Sequence, residues 1–501
     1  MRRVGVEPEA AVGQLSLTAT TTSPLGGART ALSHVWTKIR IQPTTVFVVL
    51  SLAFGLSITF VTPPLRGPDE IAHFLRIYSY ARGELLPVAE IDGRKGIFVE
   101  RQLHNQLHFF KAAGEWFAAA RDEGVRYEQI MALYRDFGSK VHDEPDHAAA
   151  FMPFAGTEGY NPVAYIPYIV AGAIGRPLGL EFPDMLLLMR LFGLIAFTAA
   201  AAYAIAVTPV LKWAFVLIAL LPVSIYNRSV LSADGAALCS ALVITALCLS
   251  SVLKSAAAPV WQRSLWMTLC ALSKQPQIVF VLLELMVYPL KELRRCWSRF
   301  ALVVLPCLIL SPLWVVAVSA EIAAWRLQLE EHHPPEHFDP LWKLLYMWEH
   351  PGHFPLAVWR ALSGWGDRLW QELIGILGWQ DILLPPWTYL VLTILLMLAP
   401  LQKLQLDGAT RTRVAVVTGL TVLGYFAVVY LIFFLTYTPL DIDHVRGVQG
   451  RYFVVALPVA AIFVAAVINL KLPDGISAAI ATAGAMISGI GTVEALYRAH
   501  W

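Results

Sequence analysis

The stretch PPLRGPDEIAHF, residues Pro63 to Phe74, stands where a continuous apolar run stops and a polar segment starts. The run before it, Val46 to Thr62, carries no charge and is long enough to cross the hydrocarbon layer of a bilayer. Two adjacent carboxylates, Asp69 and Glu70, follow directly. Acids beside a bilayer serve either chemistry or a helix end. Gly67-Pro68-Asp69-Glu70 also reads as a helix start, with Gly at the cap, Pro at the first position and acids in the first turn. Gly83 is the expected stop of that helix.

Working outward, composition sets the class. Of 501 residues, 57% are hydrophobic and 15% are charged, against about 25% charge in soluble chains. The expected fold is therefore an all-α polytopic membrane protein. A net charge of +2 creates no field that would recruit nucleic acid. Cys239, Cys248, Cys270, Cys296 and Cys307 lie in or beside apolar runs without C-x-x-C spacing, as packing residues do.

Residues 1–43 are rich in Thr, Ser, Ala and Gly and contain no compact apolar segment with a cleavage site, so they read as a flexible cytosolic tail. Lys38 and Arg40 hold the start of the first span inside, which delivers Asp69 and Glu70 to the outer face. Residues 63–183 form the first outer loop of the remaining domain, 44–501, and residues 320–385 the second. Within the first loop, Arg121 to Lys140 alternates apolar and charged residues at helical spacing. The stretch 161–175, interrupted by Pro167, is short for a span and is expected along the interface.

Further spans are expected at about 184–207, 210–226, 230–253, 262–273, 276–290, 300–319, 386–401, 414–437, 452–470 and 475–494, about 11 membrane helices in all. This count puts Lys212, Lys254, Arg263, Lys291, Arg294, Arg295, Arg299, Lys403, Arg411, Arg413 and Lys471 inside. A rival count, with 161–175 spanning and 262–290 a single helix, moves Lys212, Lys254 and Arg263 outside, against the positive-inside rule.

The polar residues then gather on one side. Asp69 or Glu70 is the candidate general base, since a helix N-terminus keeps a carboxylate ionised. Asp69 and His73 are four apart on one helix face, as a surface pair, a hydrogen-bonded pair or a metal site. Asp234, near the start of an apolar helix, must face the protein interior. Lys274 is either a snorkelling anchor or a site cation. Arg446 and Arg451 flank the start of a span, where a guanidinium can grip headgroups or a substrate phosphate. Asn161, Asn227 and Arg228 lie at the same edge. The His-rich piece Glu331 to Asp339 invites a metal reading that its prolines weaken. No metal ligand or cofactor is assigned, and a divalent cation stays open.

The strings PPLRGPDEIAHF, NPVAYIPY, LSADGAA, LGWQDILLPP and VQGRYFVVALP, in that order, resemble an uncharacterised bacterial multi-pass membrane family grouped with the GT-C glycosyltransferases. The resemblance covers roughly residues 45–495. It implies a GT-C-like fold, interfacial helices in the first outer loop and cations for a lipid phosphate. It also implies a catalytic acid just after the first span, with Asp69 as base and Glu70 as its rival. His73, Asn161, Arg228, Asp234, Lys274, Asp381, Arg446 and Arg451 would form the substrate-binding set. Val163 and Gln380 depart from the resembled pattern, where a second Pro and an apolar residue are usual. The implied partners are a polyprenyl-phosphate-linked sugar donor, a cell-envelope acceptor and the lipid bilayer of a bacterial cytoplasmic membrane. A transporter or flippase of lipid-linked saccharides is the alternative, and it would call for paired internal repeats and midplane charges. The sequence displays no such repeat, and its charges sit at span edges. A prenyl-lipid-binding scaffold without turnover is a third reading.

Overall fold

Seven helices among the described residues are long and apolar enough to cross a membrane. They are Pro43–Val61, Phe182–Val207, Ala233–Leu253, Leu293–Ala317, Gly408–Thr436, Gly450–Ile468 and Asp474–His500. The structure, a computed structural model, describes residues 42–87, 89–122, 149–253, 258–321 and 335–501, leaving aside side chains at 112–122 and 335–336. The chain divides after Gln42, and Pro43–Trp501 is the unit described below.

Ala233–Leu253 lies at the centre of the bundle and is buried along nearly its whole length. Its small residues, among them Ala237, Ser240, Ala241 and Ala246, let neighbouring backbones approach closely. It packs against Phe182–Val207 and Val260–Ser273, while the first span packs against Phe182–Val207 and Asp474–His500.

Several expected spans take a different form. Residues 210–226 are not one helix: Lys212–Ala219 and Pro222–Ser229 are separate eight-residue helices. Pro222 has no N–H to continue the ladder across Leu220-Leu221, so a new helix starts there. After Val260–Ser273, Pro276 opens a 3-10 segment, Gln275–Leu283, followed by a single α turn, Glu284–Val287. Pro162–Gly175 and Pro386–Leu398 are apolar but shorter than a span.

The purely helical expectation also needs amending. Ala89–Ile91, Arg94–Glu100 and Ala149–Pro153 form a three-stranded antiparallel sheet in the first loop, with Ile91 paired to Arg94 and Phe98 to Phe151. Asp92 and Gly93 both have positive φ, 51° and 72°, the backbone of a two-residue hairpin turn. The amphipathic reading of residues 121–140, the His142 to His147 piece and positions 331–334 of the His-rich piece fall almost wholly outside the described residues.

In the second loop, Pro340–Glu349 and His353–Gly375 are helices that expose Trp348, Trp359 and Leu345. Exposed tryptophans of this kind seat at a membrane–water boundary. Lys343 is fully buried on the other side, where its Nζ donates to Phe434 O (2.8 Å), Leu435 O (3.3 Å) and Thr438 O (2.5 Å). A cation there satisfies the last carbonyls of Gly408–Thr436 and complements the helix dipole.

Candidate functional site

The turn after the first span is built around an arginine distant in sequence. Arg190 donates from Nη1 to Thr59 O (3.2 Å) and Thr62 O (2.7 Å), and from Nη2 to Pro63 O (3.0 Å). Its Nε and Nη2 also grip both oxygens of Glu70, at 2.8 and 2.6 Å. Glu70 further accepts from Gly67 N and Leu231 N, each at 3.0 Å, and is fully buried. Its two oxygens thus meet four donors. That is the environment of a structural carboxylate, whose oxygens are already occupied by donors of the fold.

The helix start differs from its expected form. The helix is Glu70–Ala81, so Gly67 and Pro68 precede it and Asp69 is its N-cap residue. Asp69 adopts left-handed backbone (φ 53°) and its carboxylate caps nothing. Leu65 is left-handed too (φ 63°). Non-glycine residues pay for such backbone with strain, and strained turns concentrate at functional sites. At the other end Gly83 (φ 86°) closes the helix as expected.

Freed from capping, the half-exposed Asp69 carboxylate faces Arg451 Nη2 at 3.5 Å. Arg451 Nε lies 3.7 Å from Asp234 Oδ2 and has no hydrogen-bond partner among the described residues. Lys274 Nζ pairs with Asp234 Oδ1 and lies 4.7 Å from the centre of the Tyr452 ring. Asn227 Nδ2 donates to the same aspartate at 3.3 Å. Two carboxylates and two cations therefore form one charge-balanced cluster, in which the Arg451 fork is underused.

His73 lies near these charges, and its Nδ1 is 2.6 Å from the Tyr165 hydroxyl. Burial lowers its pKa to about 4, while Asp69 and Asp234 pull it upward and Arg451 and Lys274 push it down. It is neutral at physiological pH. Burial also raises Tyr160, whose ring packs against His73 at 5.6 Å, so that phenol stays protonated.

Arg451 is positioned by its neighbour. Gly450 N donates to Glu372 at 2.6 Å, and a Cβ at Gly450 would fall 1.8 Å from Leu369 O. Only glycine lets the backbone come this close to the His353–Gly375 helix. Beside Lys274 and Tyr452 a groove of about 220 Å³ opens, walled by Tyr425, Val429, Ile432 and Phe433 of a membrane-length helix.

The structure thus brings together Asp69, His73, Asp234, Lys274 and Arg451. The other expected residues lie elsewhere. Asn161 caps its own turn, accepting from Val163 N at 2.9 Å. Arg228 is fully buried inside the bundle, with Nη2 donating to Ser51 at 3.2 Å and its guanidinium over Phe47. Asp381 closes the Gly378–Asp381 turn and pairs with Arg66 at 3.2 Å, next to the cluster but outside it. Arg446 is exposed, and its backbone N–H is what the fold holds, donating to Thr438 at 3.0 Å. Among the described residues no three His, Cys, Asp or Glu side chains converge as metal ligands.

Arg190 and Glu372 escaped the sequence reading. Arg190 did leave a signal, a lone cation inside the apolar run 182–207, which must find an internal partner. Glu372 left none, being one polar residue on an amphipathic helix.

The apolar helices and the polar cluster at one end of the bundle define a polytopic helical membrane protein with a built polar site. A family model described as "Predicted membrane protein (DUF2142)" matches residues 52–463, and the chain belongs to that family. No curated protein and no solved structure matches it.

Proposed function

We propose that this protein is a membrane glycosyltransferase related to the GT-C enzymes, moving a sugar from a polyprenyl-phosphate donor to a cell-envelope acceptor on the outer face. The observation that carries this reading is Lys274, which lines an apolar groove against a membrane-length helix and shares Asp234 with Arg451. A prenyl chain in the groove would bring its phosphate to Lys274, next to which Arg451 is held through Asp234.

Asp69 is the base. The acceptor hydroxyl gives its proton to Asp69 as its oxygen bonds to the anomeric carbon. The bond from that carbon to the phosphate oxygen breaks, and polyprenyl phosphate leaves with the electron pair. Arg451 and Lys274 stabilise the charge that develops on it. Asp234 holds both cations in place and keeps them from repelling each other. Glu70, saturated by Arg190, is a positioning residue for Asp69 in this reading.

The test is transfer of labelled sugar from polyprenyl-phosphate donors in proteoliposomes by wild type, Asp69→Asn and Arg451→Ala. Loss of transfer in both variants, with folding intact, supports the assignment. Full activity of Asp69→Asn overturns it, and movement of lipid-linked saccharide without cleavage of the glycosidic bond replaces it with transport.

A further inference from the structure

A groove of about 350 Å³ lies at the other end of the membrane-length segment that starts beside Arg451. Leu457, Ala460, Ala461, Val464 and Ile468 line it, at the three- and four-residue spacing of one helix face. The remaining walls come from Lys212–Ala219 and from residues 396–400, and every described lining residue is apolar.

Length and lining restrict the occupant. Leu457 to Ile468 covers about 16 Å at 1.5 Å per residue, roughly half of a hydrocarbon layer of about 30 Å. The groove is therefore about one leaflet long, and a polar occupant would leave its hydrogen bonds unmade against such walls. Pro400 and Ile468 mark the end farther from Arg451. The chain just beyond them is tied together, since Leu472 N donates to Leu401 O at 3.2 Å and Leu404 N donates to Asn469 Oδ1 at 3.1 Å. Those bonds bring the segments of Lys403 and Lys471 side by side at that end of the groove. Both lysines are exposed, and neither ammonium has an ion-pair partner among the described residues.

Charge decides the head of the occupant. Residues 399–413 and 469–474 hold four basic residues against two acidic ones, and one of those acids, Asp407, is a helix cap that accepts from Thr410 N at 3.0 Å. An apolar channel one leaflet long, with an excess of cations at its end, matches a molecule with a hydrocarbon chain and an anionic head. We propose that this groove holds one acyl chain of an anionic phospholipid, with the lipid phosphate at Lys403 and Lys471. The site lies at the opposite end of its segment from Arg451 and does not depend on the transfer reaction.

Native mass spectrometry of the delipidated full chain tests it, with phosphatidylglycerol and phosphatidylcholine of matched acyl chains offered at equal concentration. Wild type is expected to retain phosphatidylglycerol about tenfold or more over phosphatidylcholine. Lys403→Gln and Lys471→Gln, each at an exposed position, should lower that preference about fivefold apiece. Ala460→Phe, which fills the groove, should lose the retained phosphatidylglycerol. Thermal unfolding of each variant identifies any that fail to fold, and the exposed lysine changes keep the question open to refutation if Ala460→Phe does. The proposal is overturned if wild type retains both lipids equally, or if both lysine variants keep the wild-type preference. It is also overturned if folded Ala460→Phe retains phosphatidylglycerol as wild type does, or if polyprenyl phosphate at equal concentration displaces it from wild type. A dimer mass that Ala460→Phe converts to a monomer would assign the groove to a second copy of the chain and overturn the proposal as well.

Discussion

The two ends of the central helix Ala233–Leu253 treat charge in opposite ways. Near its last turn, Arg263 and Glu284 are both fully buried, 2.9 Å apart. Arg263 also donates to Ala258 O (2.6 Å) and the Tyr288 hydroxyl (2.8 Å), and only Oε2 of the Glu284 carboxylate is left without a partner. At the Asp69 end, Arg451 meets its two carboxylates at 3.5 and 3.7 Å, one of them half exposed. Arginine at full coordination holds structure together. Arginine with long contacts, as at Arg451, keeps hydrogen-bonding capacity, which the proposed reaction would use on a phosphate. Asp69 and Glu70 repeat the contrast within two adjacent residues.

The largest effect is expected at Arg190. Arg190→Ala leaves Glu70 buried without its cation, at about 3–5 kcal/mol, and thermal unfolding in detergent should show loss of most folded protein. A wild-type melting curve would mean the pair is not structural. Asp69→Asn comes next: sugar transfer should fall about 10²–10⁴-fold at unchanged melting temperature, and a stability loss equal to that of Arg190→Ala would erase the distinction between the two acids. For Arg451→Lys, initial-rate measurements should show kcat/KM down by about tenfold, since a point charge cannot reproduce the planar fork. Gly450→Ala should lower activity together with stability, by about 1–3 kcal/mol, because the added carbon must displace the Leu369 backbone.

The smallest effect is expected in the pH dependence of stability. His73 has its pKa lowered to about 4, mainly by burial. As pH falls from about 6.5 toward 4, the unfolded chain takes up a proton that the folded chain refuses. Stability is complete above about 6.5 and declines below it. Melting temperature measured across that range should lose part of its slope in His73→Gln.

Much of this arrangement is legible in the residues and some is not. The end of the first span and the helix stop at Gly83 follow from local pattern. Asp234, Lys274 and Arg451 carry weak local signals at the ends of apolar runs, and it is the packing of the bundle that brings them together. Asp92-Gly93 is a hairpin turn in plain view, passed over because the surrounding chain reads as loop. The break at Leu220-Leu221 is harder, since two buried helices and one span have the same apolar composition. The fate of Glu70 could not be read locally at all. Its partner Arg190 is 120 positions away, and nothing near Asp69 says which of two neighbouring acids turns inward.

The left-handed residues Leu65 and Asp69 have a consequence for timing. Such backbone costs about 1–3 kcal/mol per residue, and the five hydrogen bonds of Arg190 help to hold the turn against it. The loss of conformational freedom therefore occurs during folding, before any ligand binds. In the proposed reaction Asp69 is then a nearly fixed point, and an acceptor that reaches it has only its own motion to surrender.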